Sequence, residues 1–102
     1  MQTIKVQYTV QPTYVETNKQ NIVRVMDALR KLARADIKYS AYLMDDGQTF
    51  VHFVMRESQA AGDALTKLPE FQQFQQALRA SGPLSPPKAD NLSLVATAWD
   101  IF

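Results

Sequence analysis

At 102 residues the chain has room for one core, and residues 1–102 read as a single domain with no second catalytic unit. The absence of cysteine excludes disulfides, thiolate nucleophiles, zinc-cysteine sites and iron–sulfur clusters. Eleven basic residues against ten acidic ones leave a net charge of +1, too little to steer nucleic acid or an anionic membrane. No apolar run nears the ~20 residues of a membrane span. Residues 1–15 alternate with Gln and Thr instead of forming the apolar block of a signal peptide, so a cytoplasmic protein is expected.

Residues 3–11 alternate, with Ile4, Val6, Tyr8 and Val10 on one side and Thr3, Lys5, Gln7 and Thr9 on the other. A period of two predicts a strand with one buried face, ended by Pro12. Thr17 with Gln20 three residues on fits a capping box. Ile22, Val25, Met26, Leu29 and Leu32 then recur at helical spacing to about Ala35. Arg24, Asp27, Lys31 and Arg34 fall on the opposite, solvated face.

Residues 37–44 and 49–56 flank Asp45-Asp46-Gly47-Gln48, a strong hairpin signal. With Asp46-Gly47 as a two-residue type I′ loop, Leu43 opposes Phe50, Ala41 opposes His52 and Tyr39 opposes Val54, all on one face. Tyr42, Val51, Ser40 and Phe53 share the other. Ser58 is positioned to cap a short helix through Leu65, and Pro69 suits the first turn of a second helical piece ending near Ala80 before Gly82. The prolines at 83, 86 and 87 predict a loop over 81–91, and residues 92–101 alternate as a last strand.

The order β-α-β-β-α-β predicts an α+β, ferredoxin-like fold with a four-stranded antiparallel sheet and both helices on one face. The helix side is then expected to carry Ile4, Val6 and Tyr8 with Val51, Phe53 and Met55. Phe50, His52, Val54, Tyr39, Ala41 and Leu43 would lie on the far side, too apolar for water. A homodimer packed through that sheet face is the expected cover.

The strand Phe50-Val51-His52-Phe53-Val54, the run Glu57-Ser58-Gln59-Ala60-Ala61 and the segment Leu68-Pro69-Glu70-Phe71-Gln72-Gln73-Phe74 carry a resemblance. Together they resemble the antibiotic-biosynthesis-monooxygenase-like group of the dimeric α+β barrel superfamily. The sequence likeness is confined to residues 49–78, while the element order extends it over nearly the whole chain. The resemblance implies a dimer closed into an α+β barrel and, for some members, cofactor-independent oxidation of phenolic polyketides. Haem-degrading members use an Asn on the first strand and a His on the second helix, and this chain has neither.

In such a barrel Lys5, Gln7 and Thr9, with His52, Arg56 and Tyr39, would point into the interior, either lining a wet pocket or forming a polar rim around an apolar interface. His52, the only histidine, is the natural acid–base group, or alternatively a histidine hydrogen-bonded within the interface. On the first alternative His52 or Tyr39 would deprotonate a phenol while Gln7 and Trp99 orient it. Trp99 could equally be core or interface. One histidine without cysteine disfavours a metal site and a Ser-His-Asp triad, and three glycines give no phosphate loop, so no cofactor is expected. Two functions stay open: a cofactor-free monooxygenase (or an isomerase or decarboxylase) on a small aromatic ligand, and a non-catalytic small-ligand-binding or structural dimer.

Overall fold

Residues 1–102 are all described by the structure, a computed structural model. The alternating N-terminal segment forms β1 (Gln2–Thr9), and a short 3-10 turn at Pro12–Tyr14 leads into α1 (Val15–Lys31). Thr17 therefore lies inside the helix rather than capping it, because the helical turn already starts at Pro12. Strands β2 (Ile37–Leu43) and β3 (Thr49–Arg56) form the expected hairpin, and helices α2 (Gln59–Thr66) and α3 (Pro69–Ala80) follow. Ser58 accepts a hydrogen bond from the Ala61 amide as the N-cap of α2, and Pro69 opens α3.

The hairpin register is the expected one, with Leu43 opposite Phe50, Ala41 opposite His52 and Tyr39 opposite Val54. Its turn is different. Gly47 is left-handed (φ 72°) but Asp46 is not, so the connection is not type I′. Instead the Asp46 carboxylate accepts the Thr49 hydroxyl and the amides of Gln48 (2.9 Å) and Thr49 (2.8 Å), which hold its pKa below the usual carboxylate range.

The last strand also differs from expectation. Strand β4 is Ser85–Leu92, the proline-bearing stretch, and residues 93–102 have no regular structure. It pairs antiparallel with β1, with a register shift between Gln7 and Thr9 that leaves Pro86 and Pro87 together opposite Tyr8. Prolines lack the amide a ladder needs, and a bulge on an edge strand is where that lack is tolerated.

The antiparallel sheet runs β2-β3-β1-β4 with β1 and β3 central. Strand β1 pairs with β3 so that Tyr8 faces Phe50, Val6 faces His52 and Ile4 faces Val54. Directly opposed residues share a face, which overturns the expected assignment. Phe50, His52, Val54, Tyr39, Ala41 and Leu43 belong with Ile4, Val6 and Tyr8 on the helix side. The core forms there, from Tyr8, Phe50 and Ile37 on the sheet against Ile22 and Val25 of α1, Ala61 and Leu65 of α2, and Phe74 and Leu78 of α3. The face without helices carries Lys5, Gln7 and Thr9 with Val51, Phe53 and Met55. No helix is long and apolar enough to cross a membrane.

Candidate active site

His52 sits at the middle of the central strand β3, between Val6 on β1 and Ala41 on β2. Tyr8 and Tyr39 are its diagonal neighbours on the two flanking strands, within reach of long aromatic side chains. Both reach it. The Tyr8 hydroxyl is 2.7 Å from Nε2 and the Tyr39 hydroxyl 2.6 Å from Nδ1. From α1, the Asn18 amide Nδ2 donates to the Tyr8 oxygen at 2.8 Å. The result is a buried chain of four side chains from three strands and a helix, ordered Asn18, Tyr8, His52, Tyr39.

Aromatic rings enclose it. Phe74 of α3 lies over His52 with centroids 5.5 Å apart, Phe50 stacks on Tyr8 at 5.6 Å, and Phe71 meets Tyr39 edge-on. His52 is only 2% exposed, and burial pulls its pKa down from 6.5 to about 4. Burial raises the pKa of both tyrosines well above the ordinary phenol value. The whole chain is therefore neutral near neutral pH.

Tyr8, His52 and Tyr39 of this chain line a cavity of about 390 Å³ between the sheet, α3 and the start of β4. Its walls include Tyr39, His52, Phe71 and Phe74, with Pro86 and Pro87 on one side and Gln75 and Arg79 from the outer turns of α3. This is the size and lining of a small-ligand site. Arg79 is exposed and takes part in none of the three salt bridges of the protein. A larger hollow of about 530 Å³ lies between α1 and the edge strand β2, but Tyr39 is its only member from the buried chain. Tyr8, His52 and Tyr39 come together only in the smaller cavity.

Of the residues expected at the site, the structure brings His52 and Tyr39 together and separates the rest. His52 faces the helices of its own chain and not a partner subunit, because the β1 to β3 register places even-numbered residues of both strands on that side. Lys5 and Gln7 lie on the other face, opposite Phe53 and Val51. Thr9, on that same face, is bonded through its hydroxyl to Thr49 at 2.8 Å. With Lys88 and Asp90 these three line a separate hollow. Arg56 ends β3 donating through Nε to the Gln2 side-chain Oε1 at 2.7 Å, and its guanidinium fills the space where a Cβ on Gly62 would stand. Trp99 lies in the irregular tail, 67% exposed, in a hollow shared with Thr3 and Met55.

The sequence reading missed Asn18, Phe71, Phe74 and Arg79 as site residues and placed Tyr8 in the core alone. One signal for Asn18 was present. It stands four residues before Ile22 and seven before Val25, a polar side chain on the apolar stripe of α1.

No protein-family model matches the chain, and no curated protein does. Solved structures match over nearly its whole length. An antibiotic biosynthesis monooxygenase is 13% identical, with a TM-score of 0.75 over 94% of this chain and 100% of its own. PA3566 from Pseudomonas aeruginosa is 21% identical, with a TM-score of 0.75 over 93% of this chain and 94% of its own. SnoaB, a cofactor-independent oxygenase from Streptomyces nogalater, is 16% identical, with a TM-score of 0.66 over 97% of each chain. At these identities the likeness establishes the fold: the chain is built as an antibiotic-biosynthesis-monooxygenase-like α+β domain.

Proposed function

We propose that this protein is a cofactor-independent oxygenase acting on a small aromatic substrate, which it holds in the cavity as an electron-rich enolate or phenolate. The observation that supports the reading is the neutral Tyr8/His52/Tyr39 chain lining an aromatic-walled cavity. The substrate methylene loses a proton to water at the open side of the cavity beside Arg79. Dioxygen then adds at that carbon, and the hydroperoxide loses water to leave a carbonyl. Overall, CH2 plus O2 becomes C=O plus H2O, and no other oxidant is needed.

Magnitudes decide which residue acts on the substrate. Moving a proton from a phenol of pKa about 10 to His52 spans about six pKa units, or ~8 kcal/mol. The ion pair formed at about 5 Å returns only ~3 kcal/mol at an effective dielectric constant of about 20. A hydrogen bond donated by Tyr39 to the developing oxyanion requires no such charge separation and contributes about 1.5–3 kcal/mol. Tyr39 is therefore the catalytic residue, and His52 is a positioning residue that holds it. Oxygen uptake with a panel of anthrones should fall about 10-fold to 100-fold in kcat for Tyr39→Phe, with a small change in KM. Equal uptake by the two proteins refutes the assignment.

A second reading, a non-catalytic ligand-binding dimer, is favoured by one observation: both ring nitrogens of His52 already have partners. It predicts ligand binding with no oxygen uptake by the wild type.

The dimer is part of both readings, with its face reassigned. The helix-free side of the sheet carries the half-buried Phe53 and Met55, Tyr42 beside them is 57% exposed, and Val95 and Trp99 of the tail are 97% and 67% exposed. Apolar surface of this kind is normally covered by a partner, and we infer a second copy. Sedimentation should give a dimer for the wild type and a folded monomer for Phe53→Glu. A monomeric wild type refutes it.

A further inference from the structure

We propose that Asn18 sets the direction of the buried hydrogen-bond chain, so that Tyr39 donates its hydroxyl hydrogen into the cavity and the ligand is an aromatic compound offering a hydrogen-bond acceptor there, a ketone or an oxyanion. The inference rests on the reading of the cavity as a ligand site and names what that site selects.

The direction follows from counting donors. Asn18 is fully buried, and its Nδ2 donates to the Tyr8 oxygen while its Oδ1 has no partner. With that amide pointed so, the Tyr8 O–H has one acceptor within reach, His52 Nε2 at 2.7 Å. The reverse order leaves the Tyr8 hydroxyl hydrogen unbonded where Tyr8 is 2% exposed, whereas this order leaves only the hydrogen of Tyr39, on the cavity wall, and buried donors without partners are rare. Nε2 is then the bare nitrogen, and neutral imidazole carries its single hydrogen on Nδ1. Nδ1–H donates to the Tyr39 oxygen at 2.6 Å. The Tyr39 hydrogen has no acceptor in the protein, and Tyr39 stands on the cavity wall, where a ligand can supply one.

Reversing the first link reverses every other. A carboxylate at position 18 accepts from Tyr8, the Tyr8 oxygen then accepts from Nε2–H, and Nδ1 accepts from Tyr39. The Tyr39 oxygen would then face the ligand with lone pairs only, which suits a donor. A residue that touches no ligand thus chooses between two ligand classes.

Because His52 is the only histidine, its ring-nitrogen NMR signals are unambiguous. Two-bond proton–nitrogen correlation spectra of the wild type near neutral pH should show hydrogen on Nδ1, and Asn18→Asp should move it to Nε2. Asn18→Ala, which avoids burying a carboxylate, should give a mixture of the two tautomers. Hydrogen on Nε2 in the wild type overturns the proposal and leaves the ligand-site reading intact. For ligand class, 2-acetylnaphthalene is compared with its apolar isostere 2-isopropenylnaphthalene by titration. The wild type should favour the ketone about fivefold or more, and Tyr39→Phe and Asn18→Asp should lose the preference. An unchanged preference in Asn18→Asp overturns the proposal, and binding of neither compound removes the aryl site and the ligand class together.

Discussion

Tyr8→Phe is expected to cost about 2–4 kcal/mol of folding stability, although it removes a single oxygen atom. The ring and its packing survive the change, since Tyr8 stacks on Phe50 at 5.6 Å with an interplanar angle of 15°. What is lost is the acceptor for Asn18 Nδ2 and the partner of His52 Nε2, both in residues no more than 2% exposed. Each orphaned group bears a desolvation penalty of about 1–3 kcal/mol. Adding Asn18→Leu should therefore recover part of the loss, because an apolar side chain has nothing left to satisfy. Urea unfolding of the two single variants and the double variant measures this. Losses that add to within about 0.5 kcal/mol would show that the two residues are energetically independent.

The parts of this site that could be read from the sequence are those fixed by local chemistry. Asp46-Gly47 set the β2 to β3 register correctly even though the turn type differed, because a four-residue and a two-residue closure about the same centre give the same pairs. Tyr39 was thereby placed beside His52. Ser58 and Pro69 marked their helix starts for the same local reason.

The register of β1 on β3 had no such marker, since α1, β2 and the hairpin intervene. Strand β3 is apolar on both faces (Phe50, Val54 against Val51, Phe53), so alternation could not say which side was buried. A slip of one residue exchanges the faces. That slip sent His52 to a dimer interface in the sequence reading and hid its bond to Tyr8. The last strand was misplaced for a different reason: prolines argue against a strand unless a bulge at an edge absorbs them, and the bulge opposite Tyr8 exists only in three dimensions.

Acid is expected to destabilise the protein in a window that belongs to His52. Its pKa is about 4 in the folded protein, against an ordinary 6.5 once unfolded, and burial is the cause. Between these values the unfolded chain binds one proton that the folded chain does not, so stability is complete above pH 6.5 and falls as pH drops towards about 4. At about 1.4 kcal/mol per pH unit, the loss across the window is ~3 kcal/mol. For a chain of this size that amounts to a fall in Tm of more than about 10 °C. The groups facing the ring are Tyr8, Tyr39 and Phe74, with no carboxylate among them to hold a charged imidazole in place. Asp36 and Asp46 also have lowered pKa values, through the Arg34 guanidinium and the Thr49 hydroxyl respectively, but they lose their protons below the usual carboxylate range and contribute only at lower pH. His52→Gln, which keeps polar atoms towards the tyrosines, should be nearly flat over the same window in thermal melts. If both proteins decline in parallel, the imidazole gains its charge inside the fold at an ordinary pH. A doubly protonated ring cannot accept from Tyr8, so that outcome would also dismantle the neutral chain that frees the Tyr39 hydroxyl for a ligand.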